Sequence, residues 1–178
     1  MKPLTVVLAT LMSVAIVHAQ GKSKDQRIAE TVTPLPTELQ AGATVVAFDG
    51  EGGRTVLREG TNDLVCRADG PAPGFLALCY HQVFSAHMEP SQWEGMDREE
   101  VATSRIAQMN SGKLPTPPHG AVIYTLRGPD FVEARPLVSV FVPNATPETT
   151  GLSTEMNHYR PWLMRPGTPW AHIMIAGK

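Results

Sequence analysis

Phe75-Leu76-Ala77-Leu78-Cys79-Tyr80-His81-Gln82-Val83-Phe84-Ser85-Ala86-His87-Met88 is the stretch that decides the fold class. It follows the breaker-rich run Gly70-Pro71-Ala72-Pro73-Gly74. From there Phe75, Leu76, Cys79, Tyr80, Val83 and Phe84 fall on one side of a helix, so the pattern predicts a helix that ends near Met88.

On the N-terminal side of this segment the pattern is extended. Thr44 to Phe48, Arg54 to Arg58 and Leu64 to Cys66 are short runs of β-favouring residues. They are separated by Asp49-Gly50-Glu51-Gly52-Gly53 and Gly60-Thr61-Asn62-Asp63, both rich in turn formers. Three antiparallel strands are expected. On the C-terminal side, Asp97 with Glu100 three residues later is a capping-box start. Val101, Ala102, Arg105, Ile106 and Met109 then share one flank of a second helix, with Gly112 as its stop. Three more strands are expected at Ala121 to Leu126, Leu137 to Val142 and Ala171 to Ile175. The sum is an α+β fold: a mostly antiparallel sheet of about five or six short strands with two helices packed on it.

The chain starts with Lys2, an apolar run from Leu4 to Val17 and the small-residue pattern Val17-His18-Ala19, which together read as a signal peptide over residues 1–19. No Cys follows the expected cleavage point, so lipid anchoring is not expected. Residues 20–42 are polar, carry Pro34 and Pro36, and read as an exposed leader or linker. Residues 43–178 are then a single domain. Removing Lys2 with the leader leaves 14 basic against 17 acidic residues, a formal charge of −3. That mild acidity argues against a nucleic-acid partner. With no second apolar stretch of membrane-spanning length, no membrane anchor is expected after cleavage, and the destination is periplasmic or extracellular.

Cys66 and Cys79 are the only cysteines, and export to an oxidising compartment makes a disulfide between them the leading reading. The rival, a pair of metal or redox thiols, meets a separation far from a two-residue gap.

Five histidines follow the leader. His81 and His87, about 120° apart on a helix, cannot ligate one ion from that helix alone. His87 lies in the middle of the apolar face and reads as a hydrogen-bonded core residue, His81 as a surface one. His119 and His172 each follow a Thr-Pro turn at the head of a strand, in Thr116-Pro117-Pro118-His119 and Thr168-Pro169-Trp170-Ala171-His172. Parallel neighbouring strands would bring both imidazoles to one sheet edge. Alternation puts Trp170, His172 and Met174 on one face of the last strand. Thioether and imidazole donors suit Cu(I), so His172, Met174 and His119 are candidate ligands for copper, or for zinc with further donors, against the plainer reading of Met as a core filler. His158-Tyr159-Arg160-Pro161-Trp162 either holds an anionic or sugar-like ligand, with Arg160 on the anion, or seals the core with Trp162 and Leu163.

As a set, Leu57-Arg58-Glu59-Gly60-Thr61-Asn62, the Cys66 to Cys79 loop, Thr116-Pro117-Pro118-His119 and Gly167-Thr168-Pro169-Trp170-Ala171-His172-Ile173-Met174 resemble an uncharacterised family of small exported bacterial proteins. The chain departs from that pattern at Asp63-Leu64-Val65, where the family more often has Gly and Trp. The resemblance implies one exported domain and brings no activity, substrate or cofactor.

Two classes of function remain. One is a non-catalytic binding or interaction module for a small molecule, metal or protein partner, using His119, Trp170, His172 and Arg160. The other is an enzyme with His119 or His172 as general acid/base beside a carboxylate such as Glu59, Asp63 or Glu155. No Gly-x-Ser-x-Gly elbow or free cysteine supports nucleophilic catalysis.

Overall fold

The computed structural model describes residues 22–48, 53–68, 70, 73–88, 90–93 and 95–177, so the expected signal peptide and most of the 49–53 turn lie outside the described residues. The strands are β1 (Thr44–Phe48), β2 (Arg54–Arg58), β3 (Leu64–Arg67), β4 (Phe75–His81), β5 (Val122–Gly128), β6 (Arg135–Phe141), β7 (Trp162–Met164) and β8 (His172–Ala176). They form one sheet in the order β2-β1-β3-β4-β5-β6-β8-β7. The helices are α1 (Lys24–Val32), α2 (Thr37–Gln40), α3 (Arg98–Asn110) and α4 (Pro147–Thr150), with 3-10 turns at Gln82–His87 and Pro90–Trp93.

This corrects the expected, mostly antiparallel sheet of about five or six short strands with two helices packed on it. The sheet has eight strands and is mixed, because β1 runs parallel to β3 while its other neighbouring pairs are antiparallel. The largest error is Phe75 to His81, expected as helix and found as β4 at the centre of the sheet. Both of its faces carry packed residues: Phe75, Ala77 and Cys79 are buried on one, and Tyr80 with half-buried Leu78 on the other, where Leu76 at the strand start is exposed. A strand covered on both faces reads as a continuous apolar run, and periodicity alone does not separate such a run from a buried helix. Only the second half of the expected helix winds, as the 3-10 turn Gln82–His87, which His81 caps by accepting the Val83 N–H at its Nδ1.

Two layers cover the sheet. One face packs Val32 and Leu35, from α1 and the turn after it, on Ala43, Val45, Cys66 and Cys79. Thus the stretch expected as an exposed leader contains a helix, started by the Ser23 and Gln26 capping box, whose thin stripe of Ile28 and Val32 is anchored in the core. The opposite face packs Phe84, Met109, Leu114, Phe141 and Trp170 on Tyr80 and Ile123. Here α3 begins at Asp97, whose side chain accepts the Glu99 and Glu100 N–H groups as the capping-box spacing predicts.

Cys66 and Cys79 form a disulfide, between directly opposed residues of β3 and β4 rather than between a strand and a helix. Closing a loop with a sequence separation of 13 stabilises the fold by about 3 kcal/mol in the chain-entropy picture. The parallel β1–β3 pair is made by the block Leu57 to Asn62. The Thr61 and Asn62 N–H groups donate to the Gly42 carbonyl, and Arg58 donates to the carbonyls of Gln40 and Ala43. The chain passes so close over the start of β1 that a Cβ on Gly60 would lie 2.3 Å from the Thr44 nitrogen. Only glycine fits at that crossing.

Candidate functional site

The order β5-β6-β8 decides how the two Thr-Pro turns meet. The Gly120 N–H donates to the Phe141 carbonyl at 2.8 Å, and Phe141 stands opposite His172 in the β6–β8 ladder. His119 and His172 therefore approach the same edge of the sheet, but β6 runs between them, two strand spacings or roughly 10 Å across. His119 is exposed, whereas His172 is buried.

His172 and Met174 lie two apart on β8, with Trp170 in the turn before it. Phe141 packs on Trp170 with ring centroids 4.6 Å apart and stacks on His172 at 5.0 Å, while Met174 Sδ accepts the Ser139 hydroxyl at 3.2 Å. His172 Nδ1 lies 2.7 Å from the Trp170 carbonyl, so this nitrogen carries the proton and donates. Burial pushes the His172 pKa below the ordinary histidine range, helped by Arg165 and Arg105 against the pull of the Trp170 carbonyl. The imidazole is neutral at pH 7. Among the described residues no three His, Cys, Asp or Glu side chains converge on a point where a metal could be held. Of the candidate carboxylates, Glu59 and Glu155 are exposed, and Asp63 lies near His81, at 3.9 Å, with one oxygen accepting from Gln82.

Behind Trp170 lies a feature missing from the sequence-based site, built by α3 and the 3-10 turns. The Arg105 guanidinium stacks over Trp93 at 4.8 Å and over Trp170 at 4.6 Å from the ring centroids. Its Nη2 donates to the His87 carbonyl at 2.9 Å, and Trp93 Nε1 donates to the same oxygen at 3.0 Å. The His87 ring is fully buried beside Phe84 and Trp170, as its place on the apolar face predicts. The Pro115 carbonyl is the polar group that stands by this ring, and Arg105 Nε has no hydrogen-bond partner among the described residues. Desolvation first, and the Arg105 charge second, lower the His87 pKa from 6.5 to about 4, although the nearby Pro115 carbonyl pulls the other way. Desolvation also lowers Arg105 to about 10, which leaves it charged at neutral pH. The sequence did carry one signal: an arginine in the middle of the apolar flank of α3.

The segment 158–163 divides at Pro161. On one side Trp162 and Leu163 of β7 are buried, 3% and 0% exposed, and seal the sheet. On the other side His158, Tyr159 and Arg160 are exposed, and with Pro161 they line a groove of about 460 Å³ against Ile175, Ala176 and Gly177. The core-sealing reading is seen in Trp162 and Leu163, while the preceding half of the segment lies at the surface. The β7–β8 ladder starts at Trp162 and Met174, so β8 runs past the beginning of β7 beside the groove. Arg160 makes no ion pair among the described residues.

The structure thus groups Trp170 and His172 in the interior, leaves His119 exposed beyond β6, and puts Arg160 in a separate surface groove. Comparison with protein-family models, curated proteins and solved structures found no match.

Proposed function

We propose that this chain is an exported, non-catalytic binding module that holds an anionic small molecule in the groove between residues 158–161 and the end of β8. The observation that carries this reading is the groove lining: a histidine, a tyrosine and an arginine border it together with an apolar strand end, and no Asp or Glu is among the described lining residues. Its volume lies within the range of small-molecule sites. Arg160 offers paired N–H donors to a carboxylate or phosphate, and Tyr159, 95% exposed, offers a ring face to an apolar or sugar-like body. Export is supported by the Cys66–Cys79 disulfide, the apolar run at residues 4–17 and the likeness to small exported bacterial proteins. Acid–base catalysis at His119 or His172 has less support, because the two are separated by a strand and neither meets a carboxylate among the described residues.

The test is a titration of the oxidised chain with benzoate, glucuronate and inorganic phosphate, followed by backbone amide chemical shifts. At least one probe is expected to move the amides of residues 158–160 and 175–177 saturably. Arg160→Ala should weaken that probe by about tenfold or more, the scale of a lost charge-assisted hydrogen bond. Unmoved amides with all three probes at millimolar concentration, or unchanged affinity in Arg160→Ala, would overturn the reading.

A further inference from the structure

We propose that the groove takes the carboxyl end of a short extended peptide, which pairs with the free edge of β8 at Ala176 and sets its terminal carboxylate on Arg160. This rests on the groove reading above and names the class of anion it serves.

The direction of the hydrogen bonds along β8 follows from its two ends. The Val142 N–H donates to the Ala171 carbonyl, and the Gly177 N–H donates to the Pro136 carbonyl, so Ala171 and Gly177 both point at β6. The register between them is regular, and the direction alternates along an antiparallel strand. Ile173 and Ile175 therefore also point at β6, while His172, Met174 and Ala176 point towards β7. Met164 and Trp162 stand opposite His172 and Met174. The next position in that register would set Arg160 opposite Ala176, but the ladder stops there, because β7 starts only after Pro161.

The groove of about 460 Å³ opens where that pair is missing, between residues 158–161 and 175–177. The Ala176 N–H and C=O border it with no hydrogen-bond partner among the described residues. By contrast, the outer side of β7 is covered, since the Leu163 N–H donates to the Ser153 carbonyl at 2.8 Å. An unpaired N–H and C=O on one strand residue match the C=O and N–H of one residue of an added extended chain. A simple anion such as benzoate has no N–H to give the Ala176 carbonyl.

Charge decides which end of the peptide is held. Arg160 makes no ion pair among the described residues, and no Asp or Glu is among the described lining residues. The groove therefore has a partner for a carboxylate and none for an ammonium group, which selects the carboxyl end. The residue before the terminal one pairs with Ala176, and the terminal carboxylate accepts from Arg160. Ile175 and Tyr159, 40% and 95% exposed, leave apolar surface for the peptide side chains.

The experiment titrates the oxidised chain with N-acetyl-Ala-Ala, with its carboxamide, and with acetyl-lactyl-alanine, in which an ester oxygen replaces the first N–H. Backbone amide shifts and hydrogen exchange are read. The acid should move the amides of residues 158–160 and 175–177 and slow exchange of the Ala176 N–H. Loss of the carboxylate, or of the N–H, should each weaken binding by about tenfold, and both comparisons use the unaltered protein. Arg160→Ala should bind the acid and the carboxamide alike. Suppose that benzoate, glucuronate or phosphate occupies the groove, but the ester binds as tightly as the amide or exchange at Ala176 is unchanged. The groove reading then stands and the peptide inference fails. If the acid and its carboxamide bind the wild type equally, and none of the simple anions binds, both fail.

Discussion

Arg105 and Arg160 are both guanidinium groups placed near aromatic rings, yet Arg105 packs over both Trp93 and Trp170 while Arg160 faces solvent next to Tyr159. Burial has changed the first one's chemistry, lowering its pKa to about 10, and has tied it to the carbonyl of a buried histidine. Around Arg105 the neighbours hold the fold: Trp170 touches Phe84, His87, Phe141 and His172. Around Arg160 packing and exposure are divided at Pro161, with Trp162 and Leu163 buried and the three preceding side chains exposed. A substitution in the first region is therefore expected to act on stability, and one in the exposed half of the second to leave stability nearly unchanged.

Trp170→Ala should show this most strongly. Truncating a buried tryptophan in a packed core costs about 3–5 kcal/mol, and here it also uncovers one side of Arg105. Urea unfolding at neutral pH is the measurement, with Arg160→Ala expected to fall within about 0.5 kcal/mol of wild type. Equal losses in the two variants would break the contrast.

Acid should act on the interior region next. In the folded chain His87 titrates near 4, and in the unfolded chain near 6.5. Between these values the unfolded state binds a proton that the folded state refuses, so stability is complete above pH 6.5 and falls as the pH drops towards 4. The full difference is about 3 kcal/mol, and His172, lowered in the same direction, adds to it. Arg105 opposes protonation of His87, and the Pro115 carbonyl favours it. Urea midpoints measured from pH 7 to pH 4 should fall less steeply for His87→Phe than for the wild type. A slope identical to wild type would show that His87 is not the group being forced to remain neutral.

The two regions also differ in how far the sequence disclosed them. Six of the eight strands lie where alternation and turn residues place them, because each has β-favouring residues next to Gly- or Pro-rich breaks. β4 was hidden by burial on both faces, and β7, three residues long, has too few positions to show a period. The parallel β1–β3 pairing depends on a crossing at Gly60 whose need for glycine appears only once Thr44 lies above it. Around Arg105, the closeness of Trp170 and His172 was legible from their spacing, although Trp170 lies in the turn before β8. Their link to Arg105 was not, since it joins α3 to residues 65 and more positions away. The groove was legible as a segment because its aromatic and basic residues are contiguous, whereas its second wall at Ile175 to Gly177 required the sheet order.

The smallest expected effect on stability belongs to Tyr159→Ala. A side chain 95% exposed has little packing to lose, so the urea midpoint should stay within about 0.5 kcal/mol of wild type. Affinity for the groove probe should nevertheless fall by roughly threefold to tenfold, the range of one aromatic stacking contact. These two readings have to separate for the contrast with Trp170 to stand. Suppose instead that Tyr159→Ala destabilises the chain by as much as a core substitution. The exposed half of the segment would then be fixing the entry of Trp162 and Leu163 into β7, and the division at Pro161 would be one of position without being one of function.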